Sequence, residues 1–337
     1  MTCKVQAFRG WKKALVLTES GETSEGVAPV IVSASRATDI PAFYASWFMN
    51  RLRAGFVRRT NPFDTKQVEH ISFGNTRAFV FWSKDPRPLF QHLPEIDANG
   101  FTYYFQFTLN DYRREGLEPH LPSLQERVDA FRSLADRIGS KRVVWRCDPL
   151  MPGDTVTIDE LLERIDRLAG MLRGYTEKLV FSFVDIERYR KVRSRLVNQG
   201  RVAREFRQEE MAAFARNLGR LNRGWGFTLA TCAEKADFAG IAHNRCIDGA
   251  LLAELSANDG ALTEFLGIKA DLFGLSTDWS HIRDRGQRRE CGCIASKDIG
   301  VYGTCPHLCT YCYANGPDHD VLEKAARHDL LADRLIP

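Results

Sequence analysis

From residue 30 onward the chain alternates apolar runs of strand length with segments of helical period, and this alternation most limits the folds open to it. Candidate strands fall at 30–35, 55–60, 78–83, 103–108, 142–146, 178–183 and 227–231. They are rich in Val, Phe, Tyr and Thr and nearly continuously apolar, as strands covered on both faces are. A weaker eighth candidate lies at 268–273. The helices between them have readable ends. Pro41 opens one that runs through Trp47 and Leu52 and stops at Gly55. Thr157 and Glu160 have capping-box spacing ahead of the stripe Leu161, Leu162, Ile165, Leu168, Met171 and Leu172. Glu209 to Leu221 reads as another helix.

Strand–helix alternation repeated seven times predicts an α/β protein with a parallel sheet. The expected architecture is a TIM-like (β/α) barrel, closed or partial, with a C-terminal cysteine-rich cluster-binding segment; an open doubly wound sheet is the alternative. The barrel is expected over 30–280, after an N-terminal extension at 1–29 in which 14–18 and 26–30 form a hairpin closing one end. Residues 281–337 make the cysteine-rich segment and the C-terminal tail.

With 337 residues, a net charge of +4, 44% hydrophobic and 27% charged residues, the chain is ordinary for a globular protein and is not disordered, collagen-like or coiled-coil. Residues 1–13 carry scattered charges and lack the apolar core of a signal peptide. No window approaches the roughly 18 apolar residues of a membrane span, so no membrane partner is expected. A cytoplasmic, reducing location follows as the expectation. There the nine cysteines, an odd number with five near the C-terminus, point to metal rather than disulfides.

Cys305, Cys309 and Cys312 form a C-x3-C-x2-C run. Zinc sites usually come as four ligands in C-x2-C pairs, whereas a [4Fe–4S] cube normally takes four thiolates from closely spaced runs. Three thiolates at this spacing therefore suggest a cube with one iron left open. A structural zinc site is the alternative. His307, inside the run, is a further candidate ligand, although a solvent-facing ring is the plainer reading.

At these residues the sequence resembles the radical S-adenosylmethionine (SAM) enzymes. The resemblance implies that the open iron is chelated by the amino and carboxylate groups of SAM and that Tyr311 lies beside the adenine. A wider resemblance is carried by Ser33-Ala-Ser-Arg-Ala-Thr-Asp-Ile-Pro-Ala-Phe-Tyr44, Asn61-Pro62, Phe81-Trp-Ser-Lys-Asp-Pro86, Trp145-Arg-Cys-Asp-Pro149, Cys291-Gly-Cys293, Asp298-Ile-Gly300 and Cys312-Tyr-Ala-Asn315. These look like the bacterial family known as domain of unknown function 1848, a radical SAM-like iron–sulfur family. The resemblance covers about residues 30 to 315 and implies a cofactor without naming a substrate.

Four of the remaining cysteines, Cys232, Cys246, Cys291 and Cys293, suffice for a second centre, either an auxiliary iron–sulfur cluster or an all-thiolate zinc site. As plain buried thiols, Cys232 and Cys246 would need no ligand. Cys3 and Cys147 read as bystanders.

In α/β barrels the chemistry sits at the carboxyl ends of the strands. Arg36, Asp39, Lys84, Arg146 and Asp148 fall there and are the candidate catalytic residues; Asn61, Asp185 and Glu234 join Tyr311 as candidate cofactor contacts. Cations at such positions hold carboxylates, and carboxylates bind ribose or amines or move protons. Asp39 is equally placed to cap a helix, and Asp148 to shape the turn before Pro149. Residues 187–207 carry eight Arg and Lys against two Glu, which suits either nucleic acid or, more plainly, a solvated helix.

The function expected is a radical SAM-like enzyme acting on a small or unidentified substrate with an electron donor such as a ferredoxin or flavodoxin. A non-catalytic iron–sulfur electron carrier and a nucleic-acid repair lyase of radical type are the alternatives.

Overall fold

The inner strands of the main sheet are largely apolar on both sides because both faces of that sheet are covered. The computed structural model describes residues 8–337 except 62–63, 269, 272–273, 276–278 and 289, with side chains described for all of these but 61, 64–66, 270–271 and 274–275. In chain order the strands are β1 (Lys12–Leu17), β2 (Thr23–Ala28), β3 (Ile31–Ala34), β4 (Phe56–Asn61), β5 (Asp64–Ser72), β6 (Ala78–Ser83), β7 (Thr102–Thr108), β8 (Val143–Leu150), β9 (Lys178–Phe183), β10 (Thr228–Thr231), β11 (Ala242–His243), β12 (Ala270–Asp271), β13 (Gly274–Leu275) and β14 (Lys297–Asp298). Eight of them form one sheet in the order β14-β3-β6-β7-β8-β9-β10-β11, every neighbouring pair parallel. A second sheet, β1-β2-β5-β4, is mixed.

Alternation along the strands divides two cores. Phe79, Phe81, Tyr103, Phe105, Phe107, Trp145 and Phe181 face one way, and Ile31, Val80, Tyr104, Val144, Val180 and Ala230 the other. The first face is covered by helices Ala45–Ala54, Leu124–Ile138, Ile158–Leu172 and Gln208–Trp225. Burying each such side chain stabilises the fold by about 1.5–3 kcal/mol. The second is covered by the short helices Gly249–Leu255 and Gly260–Leu266 with Trp279, Ile282 and Ile294. Helix ends follow the expected chemistry. Thr157 Oγ1 accepts from Glu160 N (3.1 Å), and Ser123 and Glu126 cap each other reciprocally. Gly55, at φ 80°, ends the helix that Trp47 and Leu52 belong to.

The expected barrel does not form. The sheet is open, with the two-residue strands β14 and β11 at its edges. Winding in one direction yields the same strand–helix alternation as a barrel, but closure depends on pairing of the first and last strands, which periodicity does not encode. The candidate at 55–60 corresponds to β4, which pairs antiparallel with β5 in the other sheet. The candidate at 268–273 falls partly outside the described residues; its described part, β12, pairs antiparallel with β13. The N-terminal hairpin is present as β1 and β2, joined to β5 rather than closing a barrel.

The C-terminal segment returns to the sheet. β14 pairs with Val32 and Ser33 of β3, and the tail lies along the helix Ala45–Ala54, where Trp47 Nε1 donates to Ala332 O (2.9 Å) and Asn50 Nδ2 to Leu330 O (3.0 Å). Asp298 locks the junction: its carboxylate accepts from Ser33 Oγ (2.9 Å), Ser35 Oγ (2.7 Å), Arg36 N (3.0 Å) and Gly300 N (2.9 Å). The peptide bonds Ala34–Ser35 and Asp148–Pro149, at the ends of β3 and β8, are cis.

Gly300 leaves no room for a side chain. A Cβ there would stand 2.5 Å from Ser35 Cβ and nearer still to Ser35 Oγ. Gly300→Ala is therefore expected to destabilise the fold by about 3 kcal/mol, the upper end for overpacking. Urea unfolding with a midpoint near that of the unsubstituted chain would contradict this contact. No helix among the described residues is long and apolar enough to cross a membrane.

Candidate functional site

The carboxyl ends of the parallel strands and the returning C-terminal segment enclose a cavity of about 1240 Å³. Single-ligand sites usually occupy roughly 300–1,000 Å³, so there is room for more than one group. Its wall includes Arg36, Asp39, Lys84, Arg146, Asp148, Asp185, Glu234 and Tyr311. It also includes both cysteine sets: Cys305, Cys309 and Cys312, and Cys232, Cys246, Cys291 and Cys293. Asn61 ends β4 in the other sheet, so the barrel strand that would have placed it at this mouth does not exist; its side chain lies outside the described residues. Cys147 is buried on the helix-covered face, and Cys3 lies outside the described residues.

The triplet sits on a loop held from outside by side chains. Arg195 Nη1 donates to the carbonyls of Cys309 (3.1 Å), Thr310 (2.9 Å) and Cys312 (3.0 Å), and Arg195 Nη2 to those of Asn315 (3.1 Å) and Gly316 (3.1 Å). Asn315 clips the loop shut: Nδ2 donates to Cys305 O (2.9 Å), and Oδ1 accepts from Cys305 N (3.4 Å). Thr310 N donates to Leu117 O (2.9 Å), and Leu308 takes φ 52°, the left-handed region. His307 is buried rather than solvent-facing; its Nε2 lies 2.9 Å from Asp39 Oδ2. Asp39 also accepts from Ala42 N (3.0 Å), capping the helix Ile40–Phe43, and from Lys84 N (2.7 Å).

Beneath the triplet lies a buried ionic network. Lys84 Nζ donates to Glu118 Oε1 (2.8 Å) and Tyr311 Oη (2.9 Å), and Arg127 Nη1 approaches Glu118 Oε2 (3.4 Å). The Tyr311 hydroxyl donates to Glu118 and accepts from Asn110 Nδ2 (3.0 Å). Burial alone would raise the Glu118 pKa, but Lys84 and Arg127 outweigh it and hold the carboxyl below its ordinary range. Burial pushes the Cys309 thiol up to about 12 against the pull of Lys84. A coordinating metal deprotonates such a thiol outright.

On the opposite wall, Arg146 pairs with Asp148 through Nε (3.2 Å) and donates through Nη1 to Gln106 Oε1 (3.1 Å) and Cys246 Sγ (3.1 Å). Cys232 and Cys246 are 3.5 Å apart between sulfurs. Hydrogen bonds with Cys232 and Cys293, reinforced by Arg146, pull the Cys246 thiol well below its usual range. Arg36 stacks over Trp82, 5.2 Å from the ring centroid, and its buried Nη2 has no hydrogen-bond partner among the described residues. Arg288 bridges the cysteine-rich segment to Asp185 (3.2 Å). Glu234 accepts from Phe183 N (2.9 Å), and burial, with Asp185 adding to it, pushes it up to about 7. That is a carboxyl able to exchange a proton near neutral pH.

Among the described residues, no three Cys, His, Asp or Glu side chains already stand at the distances of an assembled metal site. The donors nevertheless fit a thiolate-bound group. Seven sulfurs face one cavity, buried cations lie beside them, and the triplet loop is fixed by contacts that leave its sulfurs free to coordinate.

Glu118, Arg127, Arg195 and Asp298 were not apparent as site residues from the sequence. Glu118 lies in an irregular loop without periodicity, and Arg195 hides in the basic stretch. Asp298 had one signal, its place in the Asp298-Ile-Gly300 motif.

No similar curated protein and no similar solved structure was found. A family model described as "Domain of unknown function (DUF1848)" matches residues 31–314, nearly the whole of the chain from β3 to the end of the triplet loop, and the chain belongs to that family.

Proposed function

We propose that this chain is a radical SAM-like iron–sulfur enzyme. The observation that carries the reading is the triplet loop: three thiols at C-x3-C-x2-C spacing, clamped from outside by Arg195 and Asn315, open onto a cavity larger than one ligand needs. Cys305, Cys309 and Cys312 would hold a [4Fe–4S] cluster with one iron left for SAM, and that pair would supply one-electron cleavage of the sulfonium, with release of methionine, and hydrogen abstraction from the substrate.

The chain's own residues shape and shield that chemistry. Arg36, whose buried Nη2 has no partner among the described residues, receives a carboxylate of SAM or of the substrate. Glu234 takes or gives a proton at the cavity wall. Lys84, Glu118 and Tyr311 satisfy one another, so they fix the wall under the triplet rather than carry protons. The partner this chemistry needs is a one-electron donor such as a ferredoxin or flavodoxin, in a reducing compartment. A protein that only carries electrons has no use for a cavity of this size. The nucleic-acid reading loses ground because Arg195 is turned inward and Arg193 and Arg204 pair with Glu187 (3.1 Å) and Glu210 (2.6 Å).

The test is anaerobic reconstitution with iron and sulfide, followed by reductant and SAM. Release of 5′-deoxyadenosine is expected from the unsubstituted chain and none from Cys309→Ala. A fully loaded cluster that neither binds nor cleaves SAM would overturn the reading.

A further inference from the structure

We propose that Cys232, Cys246, Cys291 and Cys293 form a second, separate metal centre, a mononuclear tetrathiolate site for one zinc ion. Three chain segments bring them together. Cys232 directly follows β10, Cys246 lies in the loop after β11, and the C-x-C pair is stitched to that loop through Ile294 N to Ile247 O (3.2 Å). Pairing of β10 with β11 sets the first two segments side by side, and the C-x-C pair joins them from 47 positions further along the chain.

Spacing favours a single ion over a [4Fe–4S] cube. Four sulfurs bound at about 2.3 Å to one tetrahedral ion stand about 3.8 Å apart. Cys232 and Cys246 are already 3.5 Å apart, close to that edge length. A cube spreads its cysteine sulfurs much more widely, because each binds a different iron. A tetrahedral all-sulfur set of this kind suits zinc.

A second, independent observation is the ring of N–H donors aimed at these sulfurs. Cys293 Sγ accepts from the backbone N–H of Cys246 (3.2 Å) and Ile247 (3.5 Å). Cys246 Sγ accepts from Arg146 Nη1 (3.1 Å) and Asn244 Nδ2 (3.4 Å). A neutral thiol is a weak acceptor, so four donors converging on two sulfurs match thiolates held for a metal. Completing the set takes side-chain adjustment when the ion binds, since no three donors among the described residues stand assembled. The site fixes the C-x-C segment, and with it the wall of the cavity, without changing oxidation state.

The test is metal and sulfide content of the full chain and two variants. The triple variant Cys305→Ser, Cys309→Ser, Cys312→Ser should keep about one zinc per chain and no sulfide. Cys232→Ser with Cys246→Ser should lose that zinc. A triple variant without zinc, or one carrying iron with sulfide, would overturn the proposal. Should the double variant fail to fold, cobalt titration of the triple variant decides. Thiolate-to-cobalt absorption of a tetrahedral site, saturating at one equivalent, is expected, and its absence would count against the site. Failure of the radical reading shows separately, as an unsubstituted chain that takes up no iron and sulfide while still holding zinc.

Discussion

Arg195→Ala is expected to cut iron retention by the reconstituted chain about 100-fold and to loosen residues 303–316 in the metal-free chain. One guanidinium donates to five carbonyls of the triplet loop, at 2.9–3.1 Å. Removing it leaves partly buried acceptors that point at one another with no donor between them. Each such loss costs about 1–3 kcal/mol, and because the five share one side chain their sum is not additive. A net of about 3 kcal/mol matches the two decades in retention. Arg195→Lys should restore little, because a single ammonium cannot span the arc that two guanidinium nitrogens cover. Two measurements separate loop from cluster: the rate of iron loss to a chelator, and amide exchange of the loop in the metal-free chain. Faster exchange with normal iron retention would mean that the loop's rigidity does not serve the cluster.

The parallel strands were legible because burial on both faces writes itself into composition. β6, with the sequence AFVFWS, is apolar up to its last residue, and it pairs as expected. β4 reads FVRRTN, and the adjacent Arg58 and Arg59 should have excluded it from a sheet covered on both sides. Its partner β5, DTKQVEHIS, is too polar to register as a run, so the second sheet was invisible beyond its hairpin. Closure was not legible either, since it rests on hydrogen bonds between the chain's most distant strands. The candidate residues still converge without a barrel because open parallel sheets, too, gather residues outside the carboxyl ends of their strands. Arg36, Lys84, Arg146, Asp148, Asp185 and Glu234 therefore reach one cavity whether or not the sheet closes. What local sequence cannot supply is the partner of each. Arg195 meets carbonyls more than 110 positions away, and Glu118 meets a tyrosine 193 positions away.

Glu118→Gln is the substitution expected to destabilise the metal-free fold most, by about 3–5 kcal/mol, because it strands buried charge. The amide keeps the carboxylate's shape, but Lys84 and Arg127 lose the one anion they share. The pH dependence gives the sign. In the unsubstituted chain burial is outweighed by the cations, and the folded Glu118 pKa lies below its unfolded value. Its contribution is therefore present above about pH 4.3 and lost as pH falls through the depressed folded pKa. Lys84 has the opposite sense: burial is outweighed by Glu118, and its folded pKa is raised. Its share is full below about pH 10.4 and lost as pH rises through the raised value. In Glu118→Gln the cation has no counter-charge, burial dominates, and the Lys84 pKa drops below its unfolded value. Relative to the unsubstituted chain, the variant should then gain stability as pH rises from 7 toward 10. Denaturant midpoints across that range check it. Parallel profiles for the two proteins would mean that Lys84 finds another anion when Glu118 is gone. Adding Lys84→Met to Glu118→Gln should flatten the alkaline rise, because the group that titrates is no longer there.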